Sequence, residues 1–250
     1  MDSITSERVR ADYAPWTAGD TAIGVILTLG PLIAFSLFSN SAAGNASTPH
    51  LTQQQDIATA VITFVLTAVL EGVFLIAPLV YARRRAAGNV GQALGFRGFN
   101  PAIALVLIIL SYVVIYLAGN AIDALNTHFH ITAPTNAQQL IDSELKNAPI
   151  TLIATLVAAT IVAPICEEIF FRSFLMQGLR TVMPSWLAVV FSALVFAIVH
   201  LSPGSFGLLL VLGILLGALR LLTRSVWPGI VLHALNNGFV LFYVITQLKK

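Results

Sequence analysis

Residues 150–180 read ITLIATLVAATIVAPICEEIFFRSFLMQGLR, and this stretch decides the fold. From Ile150 to Cys166 no side chain carries a charge. With the apolar residues beyond, the run exceeds the roughly 20 residues that a helix needs to cross a hydrocarbon core. Glu167, Glu168 and Arg172 then fall inside the same run. A charged side chain at the bilayer centre costs on the order of 3 kcal/mol on insertion scales, so three of them in one span call for a function or a partner. At about 100° per residue, Glu168 and Arg172 share one helix face as a four-residue ion pair, while Glu167 points elsewhere. The pattern offers Arg172 as the counter-ion of Glu168 and leaves Glu167 to face a cavity as a general base. The plainer alternative is an interfacial cluster where the helix leaves the membrane, with Arg172 snorkelling to the headgroups.

Working outward, further apolar runs predict helices over about 21–39, 57–82, 102–125, 185–201, 206–222 and 227–246, seven spans in all with 150–180. The runs are too long for strands and lack the alternation of a membrane barrel. The expected fold is an all-α polytopic transmembrane helical bundle of about seven spans, six to eight being compatible with the pattern. Composition agrees: of 250 residues 57% are hydrophobic and only 10% charged, and the mean hydropathy is +0.87. That excludes an ordinary soluble domain, where about a quarter of residues are charged. A net charge of +2 gives no footing for nucleic acid. The single cysteine, Cys166, rules out an internal disulfide framework and a cysteine-based zinc site.

Cations set the orientation, because Lys and Arg near span ends stay on the cytoplasmic side. Arg8 and Arg10 precede the first span; Arg83, Arg84, Arg85 and Arg97 fill the second connection; Arg180, Arg220 and Arg224 follow in alternate connections. The expectation is an integral membrane protein of the cell (plasma) membrane with its N-terminus in the cytoplasm and no removable signal peptide. Lys249 and Lys250 break the alternation for seven spans. Stretches 44–55 and 126–148 read as exposed polar loops, the second holding His128 and His130.

Other ionisable or amide groups in apolar runs are Glu71, Asp123, His200, His233, Asn236 and Asn237. Counting helical rise from the turn near 182–185 puts Glu167 and His200 at similar depth, so the two can meet. His233 lies nearer the inner end of its span and fits that level less well. His233 and Asn237, four apart, share a face and offer two donors to one substrate atom; an ordinary polar seam between helices would look the same. Glu71 and Asp123 have no assigned role.

Taken in order, Glu167-Glu168-x-x-x-Arg172, Phe196-x-x-x-His200 and His233-x-x-x-Asn237 resemble the three motifs of the CPBP (Abi) family of intramembrane proteases, which includes type II CAAX prenyl endopeptidases and bacteriocin-processing or self-immunity proteins. The resemblance covers about 150–241. It divides the chain into variable N-terminal transmembrane helices, 1–125, and a catalytic transmembrane core, 126–250. It implies an intramembrane endopeptidase in which Glu167 and His200 activate water, His233 and Asn237 stabilise the oxyanion, and Glu168 and Arg172 support the site. The implied partners are the lipid bilayer and a membrane-associated peptide or lipidated protein substrate. Cofactor use stays open between a divalent metal such as zinc, held by Glu167, His200 and His233 with Glu168 as base, and a metal-free glutamate mechanism; no His-Glu-x-x-His helix occurs. Two further readings keep the fold: a self-immunity factor or peptide-binding scaffold without obligatory turnover, and a small transporter using Glu71 and the Glu pair as a proton relay.

Overall fold

The computed structural model describes residues 14–43, 50–86, 88–130 and 147–248. Arg8, Arg10, Lys249 and Lys250, used above for orientation, lie outside them. The described residues contain helices and no strand. In chain order the helices are α1 (Ala18–Ala43), α2 (Gln53–Val73), α3 (Ile76–Arg85), a short α4 (Val90–Ala93), α5 (Pro101–His128), α6 (Pro149–Glu167), a π-helical segment (Glu168–Leu175), α7 (Met176–Leu179), α8 (Ser185–Val199), a 3₁₀ turn (Pro203–Ser205), α9 (Phe206–Thr223) and α10 (Trp227–Leu248). Five stretches among the described residues are long and apolar enough to cross a membrane: Ala18–Phe38, Gln53–Arg85, Pro101–His128, Pro149–Leu179 and Pro203–Thr223. Ser185–Val199 is apolar but shorter. The outward faces are apolar, with Ile26, Leu27, Ile62 and Leu117 exposed. A helical bundle whose exposed side chains are Ile, Leu and Val has hydrocarbon as its solvent, and the chain is an integral membrane protein.

Three expected boundaries shift, each for a local reason. The second span starts at Gln53 instead of 57, because Thr52 and Gln55 form a reciprocal capping box and pull the end of the 44–55 stretch into the helix. The same span is not continuous: at Phe74 and Leu75 the backbone tightens into i to i+3 hydrogen bonds before α3 resumes. The third span runs on through His128, so the stretch read as a loop from 126 begins as helix, capped at its other end by Asn100 ahead of Pro101. Residues 131–146 of that expected loop lie outside the described residues.

Packing centres on α6. It lies between α2 and α10, while α8 packs on α9 and α9 on α5. The N-terminus of α6 has no side-chain cap of its own, since Ala148 precedes it. Asp56 of α2 takes that role from outside the helix. Its carboxylate accepts from the Ile150 and Thr151 backbone amides, both at 2.8 Å, and from the Thr151 hydroxyl at 2.7 Å. A negative charge on the orphan amides of a first turn is favoured by both the hydrogen bonds and the helix dipole.

The core lies around the π segment, where Phe170, Phe171 and Phe174 pack with Phe196 of α8, all fully buried. A π turn leaves carbonyls out of the ordinary ladder, and side chains from other elements meet them. Trp16 Nε1 donates to the Phe174 carbonyl at 3.2 Å, and Ser192 Oγ to that of Phe171 at 2.9 Å. Close approach of α1 to α7 depends on Gly178, where a Cβ would collide with Thr21, and at Gly24 a Cβ would meet the Phe174 ring at 2.6 Å.

Candidate active site

The π segment and the end of α6 carry the charged residues of the central helix. Glu168 and Arg172, 0% and 1% exposed, pair at 3.2 Å as their spacing predicts. Arg172 also lies 4.4 Å over the Phe196 ring and donates to the Gly213 carbonyl at 3.4 Å. The reading of this pair as an interfacial cluster with a snorkelling arginine is thereby set aside: Arg172 is enclosed by protein. Room for the Glu168 carboxylate comes from Gly229 of α10, where a Cβ would stand 2.8 Å from Glu168 Oε2.

His233 fits better than its depth along α10 suggested. Its Nδ1 is 3.4 Å from Glu168 Oε1 and its Nε2 3.9 Å from Glu167 Oε2, so the imidazole lies between the two carboxylates. A chain of opposite and polar groups results, running Arg172, Glu168, His233, Glu167. α10 packs along α6, and its first two turns, through Gly229 and His233, meet Glu168 and Glu167.

Glu167 ends the chain of groups at a cavity of about 220 Å³. It is 8% exposed, and its Oε2 is buried without a hydrogen-bond partner. His200, at the end of α8, lines the same cavity, as depth counting predicts. The His200 Nδ1 lies 2.7 Å from the Phe196 carbonyl, which can only accept; Nδ1 therefore carries a proton, and in the neutral ring Nε2 is the acceptor nitrogen. The ring stands 4.6 Å from that of Phe196, which fixes its plane. Immediately after it Leu201 adopts φ 49°, a left-handed conformation that a branched side chain rarely takes and that turns the chain sharply away from the site.

Asn237 is placed differently from the other motif residues. Its Nδ2 donates to the Ala159 carbonyl at 2.8 Å, and its Oδ1 accepts from Asn236 Nδ2 at 3.3 Å. The side chain is held against α6 about two turns before Glu167. Asp123 is exposed on α5, away from the cavity. His128 is the last residue of α5, and its ring stacks edge-on with Phe129.

Two acidic residues were under-read from sequence. Asp56 sat just outside the expected second span, although a Thr52-x-x-Gln55 box was there to move the boundary. Glu71, an intramembrane charge to which sequence spacing gives no role, lines the cavity with Glu167 and His200. Glu167, His200 and His233 do not fit a metal ion as they are placed: among the described residues no group of three His, Cys, Asp or Glu side chains converges closely enough to hold one.

An enclosed carboxylate and a histidine thus line one cavity inside a helical membrane bundle. Comparisons with known proteins point to a membrane protease. Residues 149–239 match the family model described as type II CAAX prenyl endopeptidase Rce1-like. A 114-residue stretch is 31% identical to a Bacillus subtilis (strain 168) protein named "Putative membrane peptidase YdiL", covering 46% of this chain and 43% of that protein. The chain thus spans about two-fifths of the length of the curated relative it matches. No solved structure matches. The resemblance to the CPBP family of membrane proteases, drawn from three short motifs, is borne out over the segment that carries them.

Proposed function

We propose that this protein is an intramembrane endopeptidase that hydrolyses a peptide bond in a membrane-associated peptide or lipidated protein through water activated by Glu167 and His200. The observation that carries the reading is Glu167 itself: a carboxylate enclosed by protein, with one oxygen unpartnered, on the wall of a cavity it shares with His200. A buried polar atom without a partner costs free energy, and that cost is understandable where the partner is a water or substrate atom that comes and goes.

In this scheme Glu167 accepts a proton as the water oxygen adds to the scissile carbonyl carbon, and returns it to the leaving nitrogen as the carbon–nitrogen bond breaks. His200, fixed through its Nδ1, directs Nε2 to the same water. His233 holds Glu167 in place from the protein side while the Glu168–Arg172 pair balances the charge of the cluster. The motif resemblance gives the oxyanion to His233 and Asn237; Asn237 keeps one amide hydrogen beyond its bond to Ala159, but it stands about two turns of α6 from Glu167 and does not line the cavity.

Orientation is part of the proposal. Arg85 meets Asp20 at the start of α1 at 3.1 Å; the Val226 amide donates to the Gly95 carbonyl at 2.9 Å, and Ser225 Oγ to that of Arg97 at 2.8 Å. One end of the bundle therefore gathers Arg83, Arg84, Arg85, Arg97, Arg220 and Arg224, and we place this end, with the N-terminus, in the cytoplasm of a cell whose plasma membrane holds the protein. The test is a comparison, by mass spectrometry, of new peptide termini in host membranes carrying the native chain or Glu167→Ala at matched levels. Termini confined to the native chain are the expected result; identical termini in both overturn the protease reading in favour of a non-hydrolytic peptide binder.

A further inference from the structure

The helix break at Phe74–Leu75 and the π segment face one another across the core. Phe74 packs on Phe170 and Phe171 with ring centroids 5.2 and 5.8 Å away. Glu71 lies one turn before the break, and its own carbonyl accepts the tightened hydrogen bond from the Phe74 amide at 3.0 Å. The two irregular backbone segments thus bring a carboxyl from α2 and a carboxyl from α6 to one cavity. Glu71 Oε2, like Glu167 Oε2, is buried without a hydrogen-bond partner. Among the described residues no Lys or Arg lines the cavity: apart from Glu71, Glu167 and His200 the one polar wall residue among them is Ser36 of α1, and the remainder, such as Leu32 and Phe171, is apolar.

A structural role does not account for this placement. A carboxyl in an apolar wall is worse than Leu for packing, and it gains nothing from a cation that is not there. Glu167, on the same cavity, is more than nine-tenths buried, and its Oε2, 3.9 Å from His233 Nε2, has no hydrogen-bond partner. What satisfies both is a small molecule with donors and acceptors on two sides, and in a site that activates water the fitting molecule is the water itself.

We infer that Glu71 is a positioning residue of the hydrolytic site, which holds the attacking water from the α2 wall opposite Glu167. The inference rests on the proposed hydrolysis and deepens it: the N-terminal helices contribute a polar group to the reaction as well as a wall. Glu167 takes the proton; Glu71 fixes where the water stands, and through it the line of attack. A water displaced by about 1 Å loses on the order of 100-fold in rate.

The test compares Glu71→Leu, Glu71→Gln and Glu167→Gln with the native chain, reconstituted in liposomes. The substrate is a peptide spanning a cleavage site found from the new termini, with kcat, KM and thermal unfolding measured for each. The expected result is a kcat about 100-fold lower in Glu71→Leu at unchanged KM, with a melting temperature equal to or above native. Glu71→Gln, which keeps the hydrogen-bonding atoms, recovers most of the rate. Native kcat in Glu71→Leu overturns the inference and leaves the protease reading standing. Cleavage by the native chain that persists in Glu167→Gln overturns both. A kcat loss in Glu71→Leu accompanied by a fall in melting temperature and not relieved by Gln assigns Glu71 to packing and overturns the inference alone.

Discussion

Glu168 and Arg172 illustrate how a buried charge is tolerated at the level of single residues. The pair is fully enclosed, with Phe196 under the guanidinium and His233 at the carboxylate. Removing one partner strands the other, which costs about 3–5 kcal/mol in comparable buried pairs. Glu168→Ala and Arg172→Ala are therefore expected to lower folded yield and melting temperature together, whereas Glu167→Ala, at the cavity edge of the same cluster, inserts normally and loses only cleavage. Fluorescence-detected size exclusion and thermal unfolding in detergent separate these outcomes. The four-residue spacing was readable in the bare sequence because a helix imposes it. The place of His233 between two carboxylates was not, since it depends on how α10 lies against α6.

Individual helices owe their ends to residues on other helices. α6 carries Glu167 at its last turn, and its first turn is held by Asp56 of α2 through three hydrogen bonds to one carboxylate. Asp56→Ala leaves buried amides without acceptors and is expected to destabilise the protein by about 2–3 kcal/mol, with Asp56→Asn recovering part of it. Chemical or thermal unfolding of the three forms measures this directly. Asn100 before Pro101 and the Thr52-x-x-Gln55 box show the opposite case, ends written locally and legible in advance. The π segment belongs to the first kind: nothing in the run from Glu168 to Leu175 announces it, and its displaced carbonyls are met by Trp16 and Ser192 from far along the chain.

At the scale of the whole molecule, the cavity joins the two parts of the chain. Leu29, Leu32, Ile33 and Ser36 of α1 and Leu70, Glu71 and Phe74 from α2 and its end close it against Glu167, Phe171 and His200. The cavity thus draws its walls from both sides of residue 126. Leu32→Trp, which fills the cavity from α1 without touching a motif residue, is expected to reduce cleavage to background while the melting temperature stays near native. Unaltered turnover in that variant places the scissile bond elsewhere.

The fold class came from the sequence by itself: apolar runs longer than any strand require a helical membrane bundle, because hydrocarbon leaves backbone groups no other partner. Within those runs the few costly polar residues mark where chemistry sits, and their helical spacing pairs Glu168 with Arg172. Tertiary structure alone decided that His233 stands between the two glutamates, that Asn237 is tied to Ala159, that Asp56 caps α6 and that Glu71 shares a cavity with Glu167. Each of these depends on the azimuth and height of one helix against another. Such angles are set by the packing of small residues such as Gly24, Gly178 and Gly229 against particular neighbours, and periodicity along a single helix carries no record of them.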